Sequence, residues 1–250
     1  MRSGDRLVVA LREAGKELVR APRPDLDATL DQIVTSAVAL IDAADEGGLS
    51  RTHQVTGRAS HATSEIVNEL DRLQDELDEG PCITAAEDPP PDGLILARDL
   101  AGSDGARWPR FAAKAVQAGF RCLLSAQLSS GRESRRSSLN LYSRTPDAFS
   151  AEDEVTAGLF ALQAGTLMYG ADTAAGLNRA LANRDMIGRA KGLLMERFAV
   201  GDEAAFQMLV TASQDTNMKL AEVARWLTEE AEERARGGSE SGDTPTPTPR

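Results

Sequence analysis

Histidine and cysteine are scarce in this chain, with two of each among 250 residues. His53 and His61 by themselves largely exclude a multi-histidine metal site. Cys82 and Cys122 do not form a zinc-type CxxC unit, and two cysteines are no disulfide framework. They read as reduced, buried thiols, which points to the cytoplasm. There is no apolar run of the roughly 18 residues that a membrane-spanning helix needs. The opening residues Met1 to Asp5 are not followed by the long apolar stretch of a signal peptide. Positive charge is also in deficit: 28 Lys and Arg stand against 39 Asp and Glu, a formal net charge of -11. Phosphate binding needs positive potential, so any nucleic-acid role must rest on a local patch.

Catalytic constellations are missing as well. No Ser/His/Asp set, phosphate-binding loop or paired histidines can be assembled, so an enzyme is not expected. Gly102-Ser103-Asp104-Gly105 reads as a loop, and Gly188-Arg189-Ala190-Lys191-Gly192 lacks the Gly-Lys-Ser/Thr order of a nucleotide-binding motif. No cofactor is expected.

What is present is a change of pattern along the chain. Leu7, Leu11, Ala14 and Leu18 predict a short amphipathic helix over 5–20, broken by Ala21-Pro22-Arg23-Pro24. A second helix is predicted from about 25 to 44, ended by Gly47-Gly48. Strands are expected at 49–55, 58–64, 94–97, 121–128 and 138–142. Helices are expected near 66–77 and at 108–119, the latter capped by Gly119. This mixture predicts one α+β domain over roughly 25–170. Beyond it the strand signal stops. Helices are predicted at 152–198, 202–215 and 219–235, and the Ser/Gly/Pro/Thr-rich tail 237–250 is expected to be disordered.

The three C-terminal helices each carry an apolar stripe: Ile187, Ala190, Leu194 and Phe198; Phe206, Leu209, Val210 and Ser213; Leu220, Val223, Ala224 and Leu227. Short links between them predict a small bundle. A second stripe on the first helix, Arg184, Gly188, Lys191 and Met195, follows spacings of four, three and four and so shares one face. Gly188 and Gly192 both weaken a helix, which suggests a close approach to its backbone. Between Arg179 and Arg197 five basic residues face two acids in an otherwise acidic chain. Such a stripe is ordinarily a solvated face. Arginine can also stack on unpaired bases and bond phosphates.

The run Arg184-x-x-Ile187-x-x-Ala190-Lys191-Gly192-x-Leu194-Met195, with Glu203-Ala204-x-Phe206-x-x-Leu209 and Asn217-x-Lys219-Leu220-x-x-Val223-Ala224, resembles the ANTAR domain. The resemblance implies a three-helix module of 171–236 that acts as a dimer on RNA with paired hairpin loops in transcription antitermination. Under it Arg184, Gly188, Lys191, Gly192, Met195, Asn217 and Lys219 are the candidate RNA-binding residues. A DNA-binding regulator and a protein-interaction signalling module are the competing readings.

The preceding 140 residues resemble GAF domains, on Gly80-Pro81-Cys82, Arg107-Trp108-Pro109, Gly119-Phe120-Arg121 and Leu139-Asn140-Leu141-Tyr142-Ser143. That resemblance implies a six-stranded antiparallel sheet with helices on one face and a pocket on the other. The pocket leaves room for an unidentified small-molecule ligand, and a ligand-free domain that only mediates dimerisation stays open. Cys82 reads as a buried structural thiol rather than an attachment point. Between the two modules Phe160, Ala164, Leu167, Ala171, Ala174 and Asn178 recur at four and three, a heptad-like seam expected to pair two copies. For Phe160–Leu167, packing on the sensor sheet is an equal alternative.

Overall fold

A computed structural model describes residues 25–51, 59–128 and 137–239. The chain divides into two compact units, Met1–Asp172 and Thr173–Arg250. The helix expected at 5–20 and the turns at 56–57 and 129–134 lie outside the described residues.

In the first unit the elements run α1 (Leu26–Leu40), β1 (Glu46–Arg51), β2 (Ala59–Ala62), α2 (Glu65–Leu77), α3 (Pro81–Glu87), β3 (Leu94–Ala97), α4 (Pro109–Gln117), β4 (Cys122–Gln127) and β5 (Ser137–Ser143). A 48-residue helix, α5 (Ala151–Phe198), follows. The strands form one antiparallel sheet in the order β2-β1-β5-β4-β3. Five strands are present among the described residues, not six.

Strand alternation sorts the side chains onto two faces. Leu49, Leu124, Ala126, Leu139 and Leu141 pack against α1 and the first turns of α5. On the other face Ile95, Ala97, Leu123 and Tyr142 pack against α2, α4 and Phe120. Helices therefore cover both faces. The single-sided arrangement implied by the GAF resemblance is corrected here, because α2, α3 and α4 lie where an open pocket was expected.

Local chemistry explains the boundaries. Asp25 caps α1 by accepting from Asp27 N and Ala28 N. Ser64 caps α2 by accepting from Val67 N. Gly80, at φ +149°, ends the approach from α2, and Pro81 starts α3 with the φ that a first helical turn needs. The sequence pattern had placed only a stop there, and α3 is too short to show periodicity. Gly47 and Gly48 do not end α1 but sit inside β1. A Cβ at Gly48 would come within 2.9 Å of Val67 Cγ1, and one at Gly47 within 2.8 Å of Val38 Cγ2. Helices press on β1 from both sides, and only glycine allows it.

Trp108 is buried and its Nε1 donates to Thr84 Oγ1 at 3.0 Å, tying the entry of α4 to α3. Both cysteines are free and buried. Burial pushes the Cys82 thiol up to about 11, which suits an inert structural thiol. Among the described residues no helix is long and apolar enough to cross a membrane.

Candidate nucleic-acid interface

The second unit holds the last turns of α5, then α6 (Asp202–Thr216) and α7 (Leu220–Ser239). Helix α7 runs through Gly237 and Gly238, past the point where the tail was expected to begin. Its core is small: Ala190 and Leu194, Ala205 and Leu209, and Val223 and Ala224. The three alanines are fully buried. Small side chains at a crossing let helix backbones approach closely, which leaves no space for a bulky ring. Phe206 and Phe198, expected in the core stripes, are accordingly exposed. The stripe of α6 runs instead through Ala205, Leu209 and Ala212, one position offset from the expected one.

The links are set by left-handed residues. Ala199, at φ 50°, ends α5, and Asn217, at φ 53°, ends α6. Asparagine tolerates that conformation better than most residues, so Asn217 has a structural duty as a helix terminator. Lys219 N donates to Glu222 Oε2 at 3.2 Å, the returning half of a capping box at the start of α7. The Lys219 side chain remains exposed.

The expected RNA-facing residues fall as follows. Arg184, Gly188 and Gly192 are exposed. A Cβ at either glycine would meet nothing within 4 Å, so packing within the chain does not require glycine there. Lys191 is half-buried, and its Nζ lies 2.5 Å from Asp202 Oδ1 in the first turn of α6. Met195 is also half-buried and packs partly against the core. Arg184, Gly188, Lys191 and Met195 share one face of α5, about 100° from the Ala190–Leu194 side. Asp202 was missed by sequence reasoning. Its separation from Lys191 in sequence hides the pairing, which the turn at Ala199–Gly201 creates.

Residues 175–227 match the ANTAR domain. The ANTAR segment thus begins within α5 and ends in α7, and it contains every one of the residues Arg184, Gly188, Lys191, Gly192, Met195, Asn217 and Lys219.

The seam residues divide differently. Phe160 and Ala164 are fully buried in the sheet cluster, and Leu167 packs partly on it. Phe160 and Ala164 are thus committed to packing on the sheet, the alternative expected for this stretch, while Leu167 stays half-buried. Ala171 is half-buried, and Ala174 and Asn178 are exposed. On the opposite side of the same helix Val155, Leu159, Leu162 and Tyr169 are exposed, Val155 by 64% and Tyr169 by 58%.

No curated protein matches the chain. Solved structures resemble it at low identity. The GAF domain of a phosphoenolpyruvate-protein phosphotransferase from Coxiella burnetii is 16% identical, with a TM-score of 0.47, covering 68% of this chain and 97% of that one. The GAF domain of a sensor histidine kinase from Pseudomonas syringae pv. tomato is 18% identical, with a TM-score of 0.45, covering 70% and 95%. A GAF domain from Synechocystis in its photoproduct state is 14% identical, with a TM-score of 0.44, covering 61% and 99%.

Proposed function

We propose that this chain is a transcription antitermination regulator whose ANTAR segment binds hairpin-loop RNA under the control of the preceding GAF-like sheet unit. The observation that carries the reading is the coincidence of the ANTAR match with an exposed Arg184 beside bare helix backbone at Gly188 and Gly192. An exposed arginine can stack on a splayed base or fork onto a phosphate. A helix surface without side chains lets a sugar-phosphate chain come close. Lys191, Lys219 and Asn217 add donors, and Met195 adds an apolar edge. The chain works in the cytoplasm as a regulator and not as a catalyst.

The test is a mobility-shift comparison of hairpin-loop RNA with duplex DNA of similar length, run over a salt series. Hairpin RNA is expected to bind at least about tenfold more tightly than duplex DNA, and its affinity should fall steeply with salt. Equal affinity for both would favour the DNA-binding reading, and no binding to either would remove the function.

Two copies are proposed to pair along α5 through Val155, Leu159, Leu162 and Tyr169. Their spacing of four, three and seven fits a heptad seam, and their exposure leaves apolar area for a second copy to cover. Dimerisation would present two RNA-binding faces to the paired loops, raising affinity through effective concentration. Leu162→Glu is expected to give a folded monomer in light scattering and to weaken RNA binding about tenfold or more. A variant that stays dimeric would show that the seam lies elsewhere.

A further inference from the structure

The sheet face under α2 and α3 buries a connected set of polar side chains where the opposite face is aliphatic. Tyr142 Oη donates to Asp71 Oδ1 at 2.6 Å, and Asn140 Nδ2 donates to the same oxygen at 2.9 Å. Gln74 Nε2 donates to Tyr142 Oη, and Gln74 Oε1 accepts from Cys82 N. Ser125 Oγ and Ser138 Oγ donate to Asn140 Oδ1, and Ser50 and Ser138 lie in contact with Cys82 Sγ. Asp71, Gln74, Ser125, Ser138 and Asn140 are all at most 2% exposed.

One atom in this set lacks a partner. Asp71 Oδ2 is buried and receives no hydrogen bond. It lies against the backbone of β1, where a Cβ at Gly48 would fall 2.4 Å from it. A heavy atom does not fit between Gly48 and that oxygen, whereas a proton does.

Tyr142 and Asn140 favour the charge on Asp71 by donating to it, and the other groups around it do not. Asp75 on α2 repels it, Cys82 comes from α3 and Tyr142 from β5, while β1 offers Gly48 and Ser50 and β4 offers Ser125. Burial raises the Asp71 carboxyl from 3.8 to about 7, outweighing the hydrogen bonds from Tyr142 and Asn140. Burial also lifts the Cys82 thiol to about 11 and the Tyr142 phenol well above its ordinary value, so neither ionises near neutrality. We propose that this cluster is a proton-responsive latch: a proton taken up by Asp71 holds α2 on the sheet, and losing it loosens that contact. The inference concerns the first unit alone and does not depend on RNA binding.

The sign follows from linkage. A carboxyl that binds its proton more tightly when folded stabilises the closed form fully below about pH 4, and that gain is lost as pH rises through about 7. Hydrogen exchange on the full chain, corrected for intrinsic rates, should show α2 opening rise by up to about tenfold per pH unit between about pH 5 and 7, then level off. Amides of α1, on the other face, serve as the internal reference and should stay flat. Asp71→Asn, which has the shape of the protonated acid, should remove the slope in α2. A slope that persists in Asp71→Asn, or one shared equally by α1 and α2 in the natural chain, would overturn the latch. If Asp71→Asn fails to fold, infrared titration of the natural chain decides. A protonated-carboxyl band that survives to a midpoint near 7 supports the proposal. Loss of all such intensity near about pH 4, where ordinary carboxyls titrate, overturns it.

Discussion

Reversing Arg184 and Lys191 together, as Arg184→Glu with Lys191→Glu, is expected to reduce hairpin-RNA affinity by about a hundredfold or more. Each basic residue that neutralises a phosphate releases about one counterion, and each reversal replaces that attraction by repulsion. The dependence of log affinity on log salt should flatten by about two contacts' worth, roughly 1.5 to 2 in slope. Folding should survive. Arg184 is exposed, and the Lys191–Asp202 pair is open on the aspartate side, where Asp202 is 70% exposed. Such pairs contribute at most about 1 kcal/mol. Circular dichroism should therefore be close to that of the natural chain. Arg189→Glu is the control, because Arg189 points about 140° away from Arg184 on the same helix. It should cost no more than a few-fold in affinity. A double variant that binds as well as Arg189→Glu would remove Arg184 and Lys191 from the interface.

Placing a carboxylate at Ala190 is expected to unfold the second unit. Ala190 is fully buried in a core of only six buried residues, three of them alanines. A bundle of that size has little stability to spare. An unpaired buried carboxylate costs several kcal/mol, and the close crossing leaves no volume for it. Ala190→Asp should lose the thermal transition and the exchange protection of α6 and α7. The sheet unit, with its own two clusters, should keep its transition. RNA binding should disappear with the bundle. An unchanged melting profile would mean that the three helices are not held by this core. Comparison with the charge-reversed chain separates lost contact from lost fold, since only Ala190→Asp removes protection from α6.

The two units differ in how much of them could be read in advance. The helices of the second unit follow the 3.6-residue period, so their existence and approximate ends were visible from Ile187, Leu194, Leu209, Val223 and Leu227. Which of two adjacent stripes on α6 turned inward was not. Phe206–Leu209–Val210 and Ala205–Leu209–Ala212 have equally good periodicity, and only the crossing distance chooses between them. The strands β3, β4 and β5 were placed nearly to the residue: β3 and β4 are short apolar runs flanked by turn residues, and β5 alternates. Strand β1 was displaced because Gly47-Gly48 is usually a stop signal. Here both glycines serve helices that press on the sheet.

The same distinction applies to the sites. That Arg184, Gly188, Lys191 and Met195 share one face of α5 was legible because residues three and four apart on a helix must share a side. The Lys191–Asp202 pair was not, since it depends on how the chain turns between α5 and α6. The long helix was expected as one element and is one element. The periodicity marked the side through Phe160 and Ala164, and it did not show that the sheet covers that side while Leu159 and Leu162 stay exposed. Sequence periodicity records which residues lie on a common line, so it determined the helices, the strands and the candidate contact face. It does not record what each line packs against. Burial of Asp71 over Gly48, the offset core of α6 and the free side of α5 were decided only by the tertiary structure, because each depends on the distance between elements far apart in the chain.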